Sequence, residues 1–424
     1  MKIKLFRLFL IIIVIGTILL NSCEKDKIYS PYYGTTEEFY SVMNQWYYWK
    51  DSIPEVDPDN YSDPSDLLEA MRYTPRDKWS YITTQEAHSQ YYDEGTYVGY
   101  GFGYASDSEG NIRITFTFED SDLTDYGIDR GWIIKKINGT TVNYATEIGD
   151  LLGDDVIGVS NEIEFESPTG DVVTYTFTKK LVTMNTVGYE NIYDVGTSKV
   201  GYFVFKSFIG PSLDELDDVF DYFNSEGVNE LVVDLRYNGG GRLDVVERLA
   251  SYIIPDDVNG KVFVKYEYNQ DRSDQNESTD LEQNANSLRL NRIYFIASNG
   301  SASASEVIIN CLDPYIDVYL VGDDTYGKPV GMYSFTSSIS DLVYVPITFK
   351  LLNANDYGGY YDGLKADSYV EDDISSAFGI GEATLDEVLH HIEYGSFTST
   401  KSSTDIYREP VREIRTIKDE LGAI

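Results

Sequence analysis

Ile293-Tyr294-Phe295-Ile296-Ala297-Ser298-Asn299-Gly300-Ser301-Ala302-Ser303-Ala304-Ser305-Glu306 passes from an apolar run into a cluster of small residues, and then into a helical pattern that lasts to residue 312. A short, uninterrupted apolar strand bounded in this way is buried on both faces, as in a parallel sheet covered by helices. Small side chains at the turn permit close approach of another segment. A hydroxyl at a helix N-terminus lies where the backbone dipole favours an alkoxide or oxyanion. Ser303-x-x-Glu306 also fits a capping box, so the same residues have a purely structural reading.

The pattern extends outward on both sides. Residues 201–205 and 230–235 read as strands, 213–224 and 242–253 as helices, and 318–321 as a further strand, an alternation that indicates an α/β domain. Asp234-Leu235-Arg236-Tyr237-Asn238-Gly239-Gly240-Gly241 runs from a strand into a glycine-opened helix start and offers unpaired backbone N–H groups. Thr325-Tyr326-Gly327-Lys328-Pro329 sets a lone lysine in a tight loop after a strand. A serine needs a base, and a lysine whose charged form is disfavoured by burial supplies one. The polar stretch 269–287 reads as a disordered loop or a lid. His390 and His391 on a helix at 385–392, and His88 after an acidic helix end, read as surface histidines, which argues against a Ser-His-Asp triad.

Upstream, residues 97–182 read as short strands with turns. Gly99-Tyr100-Gly101-Phe102-Gly103 precedes a strand, and Gly127-Ile128-Asp129-Arg130-Gly131-Trp132-Ile133-Ile134-Lys135-Lys136-Ile137-Asn138-Gly139 follows. Together these segments resemble a PDZ domain, whose glycine-rich loop holds a peptide's terminal carboxylate on backbone N–H groups while the adjacent strand edge accepts the peptide. The resemblance assigns that contact to Gly99, Tyr100, Gly101 and Phe102. The third glycine of a dinucleotide fingerprint is missing, since Tyr104 stands in its place. Before this region Phe39, Met43, Trp46 and Tyr47, and then Leu67, Leu68 and Met71, recur at helical spacing, so residues 36–90 read as a helical domain. The Asp-rich loop 57–66 lacks the glycine and the distal Glu of an EF-hand.

The N-terminus is an address. Lys2, Lys4 and Arg7 precede an apolar run too short to span a membrane, and Leu20-Asn21-Ser22-Cys23 resembles a bacterial lipobox in which Cys23 is lipidated. Residues 1–22 are then a signal peptide and 23–35 a tether. The chain of 424 residues carries 33 Lys+Arg against 71 Asp+Glu, net −38, which excludes nucleic-acid binding. Two cysteines and three histidines leave no material for a Cys- or His-built metal site.

In order and spacing, the three strand-ending segments resemble the C-terminal processing (tail-specific) serine peptidases, relatives of the tricorn core. The resemblance implies a multidomain α/β (α+β) protein: a helical N-terminal domain (36–90), a β-rich PDZ-like domain (97–182), a crotonase/ClpP-like α/β protease core (190–395) and a tail (396–424). It implies Ser303 as nucleophile, Lys328 as general base, and an oxyanion site made by Gly240 or Gly239 with Ala304. Neither a metal nor an organic cofactor is implied. The expected partners are polypeptides with accessible C-termini. The expected location is the cell envelope, lipid-anchored to the outer membrane and facing the periplasm or the surface. One residue departs from the family pattern: Met332 stands where many members carry a Gln that orients the lysine, so Glu306, Ser305 and Thr325 become candidates for that task, and a catalytically weak peptide-binding lipoprotein is the alternative function.

Overall fold

The computed structural model describes residues 34–407. The expectations for the signal segment, for Cys23 and for nearly all of the tether fall outside the described residues, as does the tail beyond residue 407.

Six strands build the central sheet, in the order Val187–Val195, Ser198–Phe205, Glu230–Asp234, Arg292–Ala297, Asp317–Gly322 and Ser368–Tyr369. The first pair is antiparallel and the others are parallel. Both faces are covered, which is why these strands are apolar throughout rather than alternating. Phe203, Phe205, Leu231, Val233, Ile293 and Phe295 pack beneath the helices Ser212–Glu226, Leu243–Ile253 and Ala304–Leu312. On the opposite face Val200, Tyr202, Val232, Tyr294 and Ile296 meet Leu385, Val388 and Ile392 of the helix Ala383–Tyr394. His391 of that helix is buried, with Nδ1 2.8 Å from the Tyr294 hydroxyl. The surface reading is therefore corrected for His391: its ring stacks on Phe397, and the amphipathic face of the helix includes it.

The strands Glu230–Asp234, Arg292–Ala297 and Asp317–Gly322 are neighbours and run the same way. Their C-terminal ends therefore open side by side, and the loops 235–241, 298–303 and 323–329 share one edge of the sheet, where α/β folds form their crevices.

A second, antiparallel sheet takes Glu277–Asp280, Val262–Tyr268, Ile347–Leu352 and Val330–Met332 in that order. The stretch 269–287 is thus neither disordered nor a free lid. A 3₁₀ turn at Gln270–Gln275 returns the chain as a strand onto Val262–Tyr268, and the backbone pairing compensates for its polar sequence. Near the N-terminus the helices Thr35–Trp46 and Pro64–Met71 bury Phe39, Met43, Leu67, Leu68 and Met71 in one cluster with Trp79, Ile82, Val330, Leu342, Tyr344 and Ile347. Tyr81–Thr84, within the span read as helical, is a strand paired with Leu342–Val345, as its aromatic and β-branched residues favour.

Residues 96–183 form a β-rich unit with its own core around Ile112, Ile114, Ile134, Ile163 and Phe165. Its antiparallel sheet runs Phe102–Ser106, Ile112–Thr117, Ile133–Ile137, Ser160–Glu166 and Val172–Thr178. Thr96–Gly99 pairs with Lys180–Thr183 where the unit joins the rest of the chain.

A charged knot ties this unit to the central sheet. Arg236, 1% exposed, meets Asp234 at 2.6 Å, Asp372 at 2.7 Å and Glu382 at 2.9 Å. Arg130, from the turn before Ile133–Ile137, reaches the same Asp372 at 2.8 Å and donates to the Tyr237 hydroxyl at 2.8 Å and to the Ser376 carbonyl at 2.8 Å. Removing one partner of a buried ion pair leaves the others desolvated and uncompensated. Arg236→Gln is expected to lower unfolding stability by about 3–5 kcal/mol, read as the shift in the urea midpoint; a shift below about 1 kcal/mol would mean that water reaches the knot.

Candidate active site

The turn after Arg292–Ala297 is held rigid before it reaches Ser303. Ser301 Oγ donates to the Leu235 carbonyl at 2.8 Å, the Ala302 amide donates to the Asn238 carbonyl at 3.1 Å, and Ser305 Oγ donates to the same Asn238 carbonyl at 2.9 Å. Ser305 therefore fastens two loops to each other, and the Lys328 amine meets Met332 rather than Ser305, which corrects the expectation for it. Ala302, Ala304, Ser305 and Glu306 are buried, whereas Ser303 alone in this run keeps part of its surface open. Its backbone sits at φ 54°, ψ −113°, a conformation that costs an L-residue about 1–3 kcal/mol. Such strain at the junction of a buried strand and a helix turns one side chain outward from an otherwise closed turn.

Glycine makes the neighbouring loop fit. At Gly240, φ is +105° and an added Cβ would lie 2.8 Å from Ser303 Cβ and 2.9 Å from the Ala304 nitrogen, so only glycine lets the two loops meet here. The Gly240 amide, however, donates to Asn238 Oδ1 at 2.9 Å. The expected oxyanion role of Gly240 is corrected on that ground: its donor is already used. The amides of Gly239 and Ala304 donate to no protein acceptor among the described residues and remain open for an incoming oxygen.

Glu306 joins the Ser303 turn to the Lys328 loop. Its side chain is fully buried and takes four donors: Oε1 accepts from Thr325 Oγ1 at 2.6 Å and from the Gly327 amide at 2.6 Å, while Oε2 accepts from the Ser303 amide at 3.0 Å and the Lys328 amide at 2.8 Å. Burial pushes its carboxyl above the usual range, and the four hydrogen bonds pull against that shift. Glu306 and Thr325 thus fix the backbones that carry Ser303 and Lys328, the former within the capping-box geometry itself.

The Lys328 amine lies 3.4 Å from Met332 Sδ and 6.0 Å from the centre of the Trp79 ring. Loss of water around it lowers its pKa to about 8, while the charges of Asp77 and Glu306 act in the opposite sense. Asp77 and Trp79 escaped the sequence reading. Asp77 is buried and accepts from Tyr47, from Ser80 Oγ and from the Trp79 and Ser80 amides. Nothing in its local sequence marks it, because its relation to Lys328 spans some 250 residues. The histidines stand apart from this site: His88 Nε2 contacts Ser334 Oγ at 2.8 Å, and His390 Nδ1 the Ser396 carbonyl at 3.0 Å.

In the β-rich unit, Gly99 is the last residue of its strand, and Tyr100 is buried with its hydroxyl against Asn161. The Gly101 carbonyl accepts the Phe118 amide at 2.8 Å, and Phe102 opens the strand at the edge of the sheet. Gly99, Tyr100, Asp122, Phe177, Thr178 and Lys180 line a small crevice here. Among the described residues no group of three or more His, Cys, Asp or Glu side chains is placed to hold a metal ion.

The role of Glu306 is open to direct measurement. A glutamine there presents an NH₂ group to two donors that now meet a carboxylate oxygen, and each hydrogen bond to a charged group is worth about 1.5–3 kcal/mol. Glu306→Gln is expected to lose about 3 kcal/mol or more of unfolding free energy, measured by denaturant titration; a loss under about 1 kcal/mol would rule out the four-donor arrangement.

Residues 199–367 match the description Peptidase family S41, and residues 36–81 match the Peptidase S41 N-terminal domain. A probable CtpA-like serine protease of Staphylococcus aureus is 25% identical over 341 residues, covering 79% of this chain. The chain spans 64% of the length of that relative. A Staphylococcus epidermidis protein of the same description is 24% identical over 360 residues, covering 80% of this chain and 68% of its own. In fold, the chain is similar to an S41 protease structure from Bacteroides fragilis, with TM-score 0.68 and 24% identity over 85% of this chain and 97% of the other. It is also similar to the photosystem II D1 C-terminal processing protease, with TM-score 0.50 and 17% identity over 79% and 92%. The two matched stretches contain Asp77, Trp79, the glycine loop, Ser303 and Lys328, and the chain belongs to peptidase family S41.

Proposed function

We propose that the chain is a serine endopeptidase working through a Ser303–Lys328 dyad. The observation that carries the reading is the pair of loops pinned on one carboxylate. Glu306 holds the Ser303 and Lys328 backbones at once, while desolvation gives the lysine a substantial neutral fraction near pH 8. In this reading the neutral amine takes the Ser303 proton as Oγ attacks the scissile carbonyl. The oxyanion forms against the Gly239 and Ala304 amides. The lysine then returns the proton to the leaving amine, and water repeats the sequence to release the acyl group. No metal enters any of these steps. Met332 offers the amine only a thioether, a weak acceptor. That contact favours a second reading, a peptide-binding protein with little turnover.

Ser303→Ala and Lys328→Ala separate the two. Either substitution is expected to abolish cleavage of an unfolded protein substrate while leaving the fold intact by circular dichroism. Because the lysine's pKa is lowered to about 8, its neutral form grows as pH rises. The kcat/KM of the wild type is expected to climb tenfold per pH unit below that value and to level off above it. Cleavage that survives Ser303→Ala, or a rate flat from pH 6 to 9, would overturn the dyad.

We further propose that residues 97–182 act as a PDZ domain that reads the substrate's C-terminus. Peptide addition to the open edge of Phe102–Ser106 would bring a terminal carboxylate toward Gly99, Tyr100, Gly101 and Phe102. Amidating the C-terminus of a tail-recognised substrate removes the charge those N–H groups would bind. KM is expected to rise about tenfold or more, and equal KM for free and amidated substrate would remove the tail-reading role. The signal segment and Cys23 support placement in the cell envelope on a lipid anchor, with exported polypeptides as substrates.

A further inference from the structure

In a chain with 71 acidic and 33 basic residues, cations normally find carboxylates close by. Arg76 and Lys78 do not: among the described residues neither forms an ion pair, although both are exposed on the loop between Pro64–Met71 and Tyr81–Thr84. The acidic residue between them, Asp77, is turned inward and occupied by four hydrogen bonds.

Each cation instead lies over an aromatic ring at the lysine loop. The Lys78 amine is 4.4 Å from the centre of the Tyr326 ring and 5.6 Å from that of Trp79, and the Arg76 guanidinium is 4.4 Å from the centre of the Tyr361 ring. Tyr326 stands two residues before Lys328, and its amide donates to the Ser301 carbonyl at 3.0 Å. Tyr361 backs the same loop, since an added Cβ on Gly327 would lie 2.4 Å from its carbonyl oxygen. Trp79 is bracketed by two amines, that of Lys78 at 5.6 Å and that of Lys328 at 6.0 Å. Its indole N–H is buried without an acceptor among the described residues, which leaves a donor beside these cations.

A cation seated on a ring face keeps its charge available to a third group. Two such cations at the rim of the lysine loop, one of them over the ring whose buried N–H is unused, form a receptor for a carboxylate. The general field of the chain repels acidic polypeptides, so local attraction at this rim serves selection rather than long-range capture. We infer that Arg76 and Lys78 bind an acidic side chain of the substrate polypeptide next to the scissile bond. The inference rests on the peptidase reading of Ser303 and Lys328 and adds a substrate preference to it.

The test uses two peptides that differ by a single Asp-to-Asn exchange, placed in turn at each of the three positions on either side of the cleaved bond. For at least one position the wild type is expected to favour the Asp peptide by about tenfold in kcat/KM, a margin that narrows as salt screens the charges. In Arg76→Gln with Lys78→Gln the ratio should fall to near one, and Arg76→Lys with Lys78→Arg should restore it. Binding of the same peptides to Ser303→Ala, followed by fluorescence anisotropy, reads the surface without turnover. If the wild type cleaves nothing, the peptidase reading fails, while the binding ratio still decides this one. No Asp preference at any position in cleavage or in binding, or a preference that survives the double Gln variant, would overturn the assignment.

Discussion

The arrangement depends on one carboxylate. Glu306 is buried at the first turn of its helix and receives donors from both loops that carry the proposed chemistry. An unpaired carboxylate so deep in the protein would either take up a proton or unfold its surroundings. Four donors remove that conflict only if the turn at 301–306 and the loop at 325–328 keep one relative position. The cost of burying the charge is thereby converted into a geometric constraint, because any slip between the loops leaves a donor or an oxygen lone pair unsatisfied.

The parallel sheet makes such a join possible. Three adjacent strands end at the same edge, so loops far apart in sequence arrive together without bridging structure. Gly240 then lets the middle of this edge close, and the backbone strain at Ser303 is sustained by the hydrogen bonds of Ser301, Ala302 and Ser305 to the neighbouring loop. Arg236 and Arg130 anchor the base of that neighbouring loop. Asp372, which binds both, also accepts the Tyr237 hydroxyl one residue before Asn238. The β-rich unit is therefore attached to the chain at the segment that presents the Gly239 amide.

Much of this was legible from local pattern. The apolar strands, the small-residue turn and the glycine run each carry their signature within ten residues, and so the three loops that carry Ser303, Lys328, Gly239 and Ala304 are readable from sequence, and they share one edge of the sheet. What escaped depends on contacts distant in sequence. The Gly240 donor is consumed by the side chain of Asn238, a local turn geometry that residue types alone do not reveal. His391 shares its helix with exposed residues and is buried only because Tyr294 and Phe397 pack around it. The hairpin at 270–280 is polar in composition and ordered by pairing. Burial of each of these was decided by a partner that the local sequence does not contain.

The same reasoning explains why the N-terminal helices belong to the site. Desolvation is the largest influence on Lys328, and part of what surrounds the amine is Trp79, carried by a segment whose own packing rests on Phe39, Met43, Leu67 and Met71. Asp77, in the same segment, offsets the desolvation by favouring the charged amine. The two residues act in opposite directions on one proton: Trp79 helps to strip water from the lysine, and Asp77 keeps the effect from running further. A lysine that must be neutral to act as a base, yet charged to return a proton, needs its pKa near the working pH rather than at either extreme. The loop after Pro64–Met71 carries both residues, so the N-terminal region bears on the proton affinity of Lys328 as well as on its packing.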